Sequence, residues 1–309
     1  MLTDMKQIDN RIDLNLLKVF EALHEEGGAT RAAVRLGLTQ SAVSAALQRL
    51  RVMYGDALFT RTGRGLTPTV RAQELRPVIG AALDKCRESL AMGNSAAQRY
   101  EGRSVVLGLS DDFEIATARL LIDAVAARAP GLRLAFRQTH SRIVADMLMS
   151  RELDLAVASG GFATQWLSHE SLAEGNYGCV VDPASMAGPG ARLTLDAYVR
   201  RDHILISSSG FVGIVDEALA QTGHKRRVVA STTHFAALPF LLRGTDAVAT
   251  MPAHAAQAIA AMTGLRMLPC PLALPRYHIE LGWRTDALRD AVIAEVKAVV
   301  TEVLSAIRW

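Results

Sequence analysis

Residues 30–54, TRAAVRLGLTQSAVSAALQRLRVMY, hold the most specific chemistry in this chain. At helical spacing, Gln40, Ser41, Ser44, Ala45 and Gln48 share one side. Those side chains suit base recognition: Ser and Gln hydrogen-bond base edges and phosphates, and Ala touches a thymine methyl. Around them lie Arg31, Arg35, Arg49, Arg51, Arg61 and Arg64. Within residues 30–64 these six arginines meet one acid, Asp56, a balance of +5. Guanidinium groups at this density neutralise phosphates and release counterions. On periodicity alone, an ordinary helical hairpin with a solvated basic face fits equally well.

The elements that must position these residues follow from the spacing. Ala32, Ala33 and Leu36 give a first helix a small-residue apolar face that lets another helix approach closely. Gly37 suits a left-handed helix end. Thr39 is placed to cap a second helix. Val43, Ala46, Leu47 and Leu50 then recur at i, i+3, i+4 and i+7, one buried stripe. Upstream, Asp13 caps a predicted helix through about Glu25, burying Leu16, Leu17, Phe20 and Leu23. Downstream, DALFTRTGRGLTPT (56–69) reads as a hairpin turning at Gly63-Arg64-Gly65. A hairpin after a recognition helix makes a winged helix-turn-helix, with Arg61 or Arg64 near phosphate or the minor groove.

Residues 13–69 closely resemble the DNA-binding domain of LysR-type transcriptional regulators. The shared pattern is DLNLL, a small-residue helix, LGLTQSAVS-x-AL-x-RLR, then LF-x-RT-x-x-GL-x-PT. The DLNLL opening and the ALQRLR ending most resemble the nodulation and aromatic-catabolism subgroup. The resemblance places Gln40, Ser41, Ser44 and Ala45 on the recognition helix and Arg61 on the wing. The residues expected at DNA are Arg31, Thr39, Gln40, Ser41, Ser44, Ala45, Gln48 and Arg61. Two positions depart from the family pattern: Ser41 stands where proline is usual, and Arg51 where many members have glutamate.

The whole chain bounds the remaining possibilities. Its 309 residues suffice for two or three domains, and 50% are hydrophobic, so global disorder is excluded. No apolar run reaches membrane-spanning length. The start MLTDMKQIDNRIDL has neither the basic end nor the apolar core of a signal peptide, so a cytoplasmic location is expected. Residues 1–90 hold 13 Lys/Arg against 10 Asp/Glu, while the remainder balances at 21 of each. The excess positive charge thus sits in the expected DNA-binding part. Cys86, Cys179 and Cys270 are odd in number and form no CxxC, so they suggest neither a zinc site nor a disulfide framework. They read as buried thiols, with a Cys179–Cys270 redox pair as the less favoured alternative.

Residues 69–92 read as a helix. Leu75, Ile79, Ala82, Cys86 and Leu90 sit near heptad spacing for a dimer seam, or else pack on their own domain. Pro77 should kink this helix or start it afresh. In the family the linker helix pairs between subunits.

From residue 104, strands alternate with helices, which implies parallel α/β architecture. Predicted strands at 104–110, 132–138 and 153–159 enclose helices at 113–130 and 141–152. A second unit runs from 203 to 252; a strand at 277–284 and a helix from about Ala287 to Ile307 close the chain. This half resembles the family's two-lobed effector-binding domain, which is like a periplasmic binding protein. Ligands of open α/β sheets bind at the carboxyl ends of strands. Those ends hold Ser110, Asp111, His140, Ser141, Ser159, Ser208, Ser209, Thr232 and His234, the candidate effector-binding residues. Helices starting near Ser141 and Gly210 would favour an anionic group; Asp111 and Asp112 argue against it unless they only cap a helix. Any one of these residues fits an ordinary cap or surface loop as well.

Metal and catalytic readings find no support. The eight histidines form no HxH or HxxxH, GLSDD (108–112) is not GxSxG, and GFVG (210–213) is not GxGxxG. No cofactor, metal or catalytic residue is expected. The expected fold is an α+β two-part chain: a winged helix-turn-helix at 1–69, a linker helix at 70–92, and an α/β two-lobed effector domain at 93–309. Lobe I would take about 103–175 and 270–309, and lobe II about 176–269. The expected function is a sequence-specific DNA-binding transcriptional regulator, not an enzyme, controlled by a small polar or aromatic acid. Its expected partners are double-stranded promoter DNA, the effector, RNA polymerase and further copies of itself as a homodimer or homotetramer, with no membrane. The alternative is an α/β ligand-binding protein or enzyme with the N-terminal domain as an accessory.

Overall fold

The computed structural model describes residues 13–63, 65–91, 100, 102–186, 188, 190, 192–207, 210–307 and 309. These fall into two compact units, the first ending before residue 96 and the second following it, with Met149–Arg151 grouped with the first. Ser208, Ser209 and Arg64 lie outside the described residues.

The first unit opens with three helices: α1 (Leu14–Glu26), α2 (Ala29–Leu36) and α3 (Gln40–Tyr54). Their ends follow from capping chemistry. The Asp13 carboxylate accepts the Asn15 N–H at 3.0 Å, and the Thr39 hydroxyl accepts the Ala42 N–H at 3.1 Å. Gly37 takes a left-handed φ of 64°, and its N–H bonds the carbonyls of Ala33 and Val34. Leu16, Phe20 and Leu23 of α1 meet Ala32 and Ala33 of α2 and Val43, Leu47 and Leu50 of α3 in one core. The apolar stripe of α3 is thereby consumed, and its polar side is left facing water.

β1 (Phe59–Thr62) and β2 (Gly65–Pro68) form an antiparallel hairpin with Arg61 opposite Leu66. Gly65 has a φ of 132°, and a Cβ there would lie 2.5 Å from the Gly27 carbonyl oxygen. The Leu66 N–H donates to that same oxygen at 2.9 Å, so the glycine lets the wing dock on the α1–α2 turn.

α4 (Val70–Ala91) runs through Pro77 as one helix, so of the two expectations, a kink or a fresh start, the fresh start does not occur. Proline removes one backbone donor there. Ala72 before it and Ile79 and Leu83 after it are buried in the core of the first unit, which holds the two halves in register. Leu75 packs against that core as well. Leu75 and Ile79 therefore serve the unit's own interior, the alternative to the dimer seam.

The second unit contains two five-stranded sheets. The first is ordered β4-β3-β5-β12-β6, from β3 (Ser104–Leu109), β4 (Arg133–Gln138), β5 (Leu155–Ala158), β6 (Leu167–Gly175) and β12 (Tyr277–Arg284). The second is ordered β11-β7-β10-β8-β9, from β7 (Tyr177–Val181), β8 (Asp202–Ile206), β9 (Arg227–Thr232), β10 (Val248–Pro252) and β11 (Arg266–Pro269). Both sheets are mixed, a correction to the all-parallel expectation. The βαβ strands β3, β4 and β5 are parallel, but β12 is antiparallel to β5 and β6, and β7 is antiparallel to β10 and β11. The cause is connectivity. Only Asn176 separates β6 in one sheet from β7 in the other, and residues 270–276 return the chain from β11 to β12.

Helices α5 (Asp111–Arg128) and α11 (Ala291–Ser305) cover the first sheet, with Leu121, Val125, Val296 and Val300 against Leu107, Val157 and Leu281. On the second sheet, α9 (Leu238–Leu242) and α10 (Ala253–Thr263) pack Leu238 and Ile259 on Val180 and Ala249. The remaining helices are α6 (Val144–Met149), α7 (Leu195–Arg200) and α8 (Ile214–Gln221). β6, β7, α7, α10 and β11 are not foreseen in the sequence. β6 reads LSHESLAEG, too polar to signal a strand, and β10 passes into α10 at Pro252 with no intervening loop.

Candidate functional site

On α3 the structure brings Gln40, Ser41, Ser44, Ala45 and Gln48 to one exposed side, while Val43, Leu47 and Leu50 are buried beneath. Thr39 and Ser41 are partly committed: their hydroxyls lie 2.9 Å apart while Thr39 caps the helix. Gln40, Ser44 and Gln48 thus present the principal polar groups of this face. Arg61 is exposed on β1 of the wing.

The surrounding arginines divide by role. Arg31 donates its Nε–H to the Glu26 carbonyl at 2.6 Å while remaining exposed. Arg35 pairs with Glu25 and Glu26. Arg49 reaches Asp13 at 3.3 Å. Arg51 donates to the carbonyls of Ala57 at 2.8 Å and Phe59 at 2.9 Å, which ties α3 to the first strand of the hairpin. The residue that departs from the family pattern at position 51 is therefore a brace for the wing. The sequence gives no sign of that pairing, because both acceptors are backbone oxygens.

In the second unit, a cavity of about 200 Å³ opens where the crossover strands leave one sheet for the other. Four candidate residues line it: Ser110, His140, Ser141 and Ser159. Asp111 faces elsewhere; its Oδ2 accepts the N–H of Phe235 at 2.5 Å and so fastens α5 to the turn before α9. Thr232 and His234 are not among the lining residues; the Thr232 hydroxyl accepts the His234 N–H at 3.3 Å. The lining residues that sequence reasoning passes over include Asp112, Phe113, Tyr177 and Tyr277. The tyrosines open β7 and β12, the two crossover strands, and an aromatic at each sheet-to-sheet passage is the signal that could have marked them.

A buried polar network backs the cavity. His254 Nε2 lies 3.1 Å from Asp112 Oδ2, and its Nδ1 lies 3.2 Å from the Tyr277 hydroxyl. Ser110 donates to Asp112 Oδ1 at 2.5 Å. Phe113 stacks on the His254 ring at 4.8 Å, with Trp309 edge-on to both. Burial pushes the Asp112 carboxyl up, but the His254 and Ser110 hydrogen bonds outweigh it and hold the group below the usual carboxylate range. Burial, reinforced by Asp112, raises the phenols of Tyr177 and Tyr277, so both stay neutral. Gly175 faces Tyr277 across the sheet; a Cβ there would sit 2.2 Å from the tyrosine ring, so only glycine leaves the ring its place.

The anion-favouring helix ends expected near Ser141 and Gly210 do not form as predicted. After Ser141 comes a turn and only the six-residue α6. α8 begins after Gly213, whose N–H is taken by Asp216 at 2.8 Å. The helix that does start at the cavity, α5, carries Asp111, Asp112 and Glu114 in its first turn. His140 Nδ1 accepts the Arg142 N–H at 3.3 Å, which leaves Nε2 as the ring atom for a partner.

Two family models match. Residues 14–73 match the bacterial regulatory helix-turn-helix protein, lysR family, and residues 98–305 match the LysR substrate binding domain. The chain belongs to the LysR-type transcriptional regulators. This LysR-type chain is 31% identical over 282 residues to the HTH-type transcriptional activator NahR of Pseudomonas putida, covering 90% of this chain and 93% of that protein. It is 30% identical over 277 residues to Nodulation protein D 2 of Bradyrhizobium sp., covering 88% and 81%. Among solved structures, the probable transcriptional regulator PA0477 from Pseudomonas aeruginosa is 30% identical, with a TM-score of 0.69 over 93% of this chain and 97% of that one. The protein is accordingly a DNA-binding transcriptional regulator with an effector-binding domain, and its family and relatives are regulators, not enzymes. Among the described residues, no helix of this LysR-type regulator is long and apolar enough to cross a membrane.

Proposed function

We propose that this regulator reads its operator with Gln40, Ser41, Ser44, Ala45 and Gln48 of α3 in the major groove. Arg31, Thr39 and Arg61 hold the flanking backbone or minor groove. It responds to a small polar or aromatic acid bound in the cavity beside Tyr177 and Tyr277. The observation that carries the effector reading is the cavity's composition. The rings of Phe113, Tyr177 and Tyr277 accompany the hydroxyls of Ser110, Ser141 and Ser159 and the imidazole of His140 within about 200 Å³. That is room for a single ring with a few polar substituents. Asp112 does not oppose an acid outright, because its two oxygens are engaged by Ser110 and His254.

The cavity touches both crossover strands, so an occupant that favours one arrangement of the two sheets shifts their equilibrium. That shift is the route to altered DNA bending and RNA polymerase contact in a homodimeric or homotetrameric assembly bound to promoter DNA. Thermal denaturation of the full chain against a panel of monocyclic aromatic and small aliphatic acids tests the effector reading. An active acid should raise Tm, and Ser159→Trp, which fills the cavity, should abolish the rise. An acid that stabilises the Trp variant equally binds elsewhere and removes the cavity from the account.

A further inference from the structure

Among the described residues lining the cavity beside Tyr177 and Tyr277 there is no lysine or arginine, and Asp112 places a carboxylate there. An acid entering this cavity meets a negative charge and no permanent positive one. Taking a carboxylate out of water without a partner of opposite charge is strongly unfavourable. The acid therefore needs a positive charge that the lining does not hold in fixed form.

The network behind the cavity can acquire one. His254 is buried in α10, with Nε2 3.1 Å from Asp112 Oδ2 and Nδ1 3.2 Å from the Tyr277 hydroxyl. The Asp112 carboxylate only accepts, so it takes the Nε2–H whether the ring carries one proton or two. The other nitrogen has two settings. With one ring proton, Nδ1 accepts, and Tyr277 donates its single proton to it. The phenol then shows the cavity only lone pairs, which repel a carboxylate. With two ring protons, Nδ1 donates, and the phenol proton is free to turn to the cavity. Tyr277 keeps that proton in both settings, because burial and the Asp112 charge raise its phenol.

The surroundings of the ring favour this reading. Asp112 from α5 and Tyr277 from β12 are the titratable groups bonded to it. Tyr177 of β7 stands against Tyr277, with ring centroids 5.3 Å apart, and burial raises its phenol too. Phe113 and Trp309 pack on the imidazole with uncharged rings. The second imidazole at the cavity is worse placed. His140 is exposed, and a proton added at its Nδ1 would break the bond from the Arg142 N–H.

We propose that an acid enters this cavity together with a proton, with His254 taking up that proton at Nδ1 and Tyr277 turning its own from His254 to the ligand carboxylate. Solvent supplies the proton, and no other bond changes. The buried charges become the imidazolium between two carboxylates instead of two carboxylates alone. His254 touches no ligand; it is a positioning residue that sets which polarity Tyr277 presents. A neutral ligand that gives Tyr277 an N–H or hydroxyl needs no such step. The inference rests on the acid reading of the cavity and adds a selection rule to it: falling pH favours acids and leaves neutral ligands unaffected.

Isothermal titration of the full chain with benzoate, phenylacetate and hexanoate tests this, each in buffers of low and high ionisation enthalpy, with neutral benzamide as the matched control. The acids are ionised throughout from about pH 6 to 9, the span in which an imidazole beside carboxylates titrates. Uptake should approach about one proton per acid bound within that span, and the acid's Kd should rise about 10-fold or more across it. Benzamide should bind without uptake and without a pH trend. His254→Gln keeps an N–H for Asp112 but cannot gain a proton, so it should abolish the uptake, while His140→Gln should preserve it. Should His254→Gln fail to fold, Tyr277→Phe cuts the link and should abolish the uptake instead; should both fail, the wild-type contrast between benzoate and benzamide decides. Binding of an acid that Ser159→Trp abolishes but that takes up no proton overturns this inference alone. Uptake that survives His254→Gln, or that His140→Gln removes, overturns it as well. No binding by any of the three acids removes the acid reading and this inference together.

Discussion

The exposed polar side of α3 and the cavity beside Tyr177 and Tyr277 solve opposite problems. Gln40, Ser44 and Gln48 stand in water on a helix whose other side is locked in a hydrophobic core, so their polar groups are available to a partner. Around the cavity, Ser110, Asp112, His254 and Tyr277 satisfy one another in a buried network. An exposed face changes partners cheaply, one side chain at a time. A buried network responds as a unit, because removing one member strands the others. Under the proposed function, sequence specificity and ligand response thus rest on different energetics within one chain.

That contrast can be broken most forcefully on the exposed face. Ser44→Leu should remove the specific increment of DNA binding, on the order of 4 kcal/mol or more, with an unchanged unfolding midpoint, since Ser44 packs on nothing in the core. Electrophoretic mobility shifts and urea denaturation on the same preparation check both halves. Inside, Asp112→Ala should do the reverse: it leaves His254 buried without its carboxylate and should cost about 3–5 kcal/mol of stability. Adding His254→Ala should cost far less than a second such loss; additive losses would dissolve the network into independent contacts.

A third prediction concerns His203, fully buried in β8 with Nε2 3.0 Å from the Tyr198 carbonyl. Burial pulls its imidazole down to about 4. The unfolded chain binds this proton more readily than the folded one. Stability is therefore complete above about pH 6.5 and falls as pH drops towards 4, by at most about 3 kcal/mol. His203→Gln should flatten that portion of the stability curve, and a slope unchanged by the substitution would assign it to other groups. The smallest effect belongs to the wing: Arg61→Ala should weaken binding modestly and reduce the salt slope by about one unit, the loss of one phosphate contact. An unaltered slope would remove Arg61 from the interface.

The two regions also differed in how plainly the sequence spoke of them. The polar face of α3 was legible because its determinants are local: Thr39 caps, Gly37 ends a helix, and the 43–46–47–50 stripe orients everything between them. The cavity was half legible. Ser110, His140, Ser141 and Ser159 end recognisable strands, so the strand-end rule found them. Tyr177 was lost with β7, whose existence depends on pairing with β10 and β11 some seventy to ninety residues onward. His254 was lost because its partner Asp112 lies 142 residues away. Arg51 was misjudged for a related reason: a side chain bonding backbone oxygens leaves no complementary residue to be read. Leu75 and Ile79 carried a heptad rhythm that an intramolecular core satisfies as well as a partner helix does.

The central claim is that the polar side of α3 selects the DNA sequences this regulator occupies. Genome-wide footprinting of the wild-type protein beside Ser44→Leu, expressed at equal levels, tests it most directly. The account predicts discrete protected sites sharing a partly symmetric sequence for the wild type and their disappearance in the variant. The same sites, equally protected by Ser44→Leu, would contradict it.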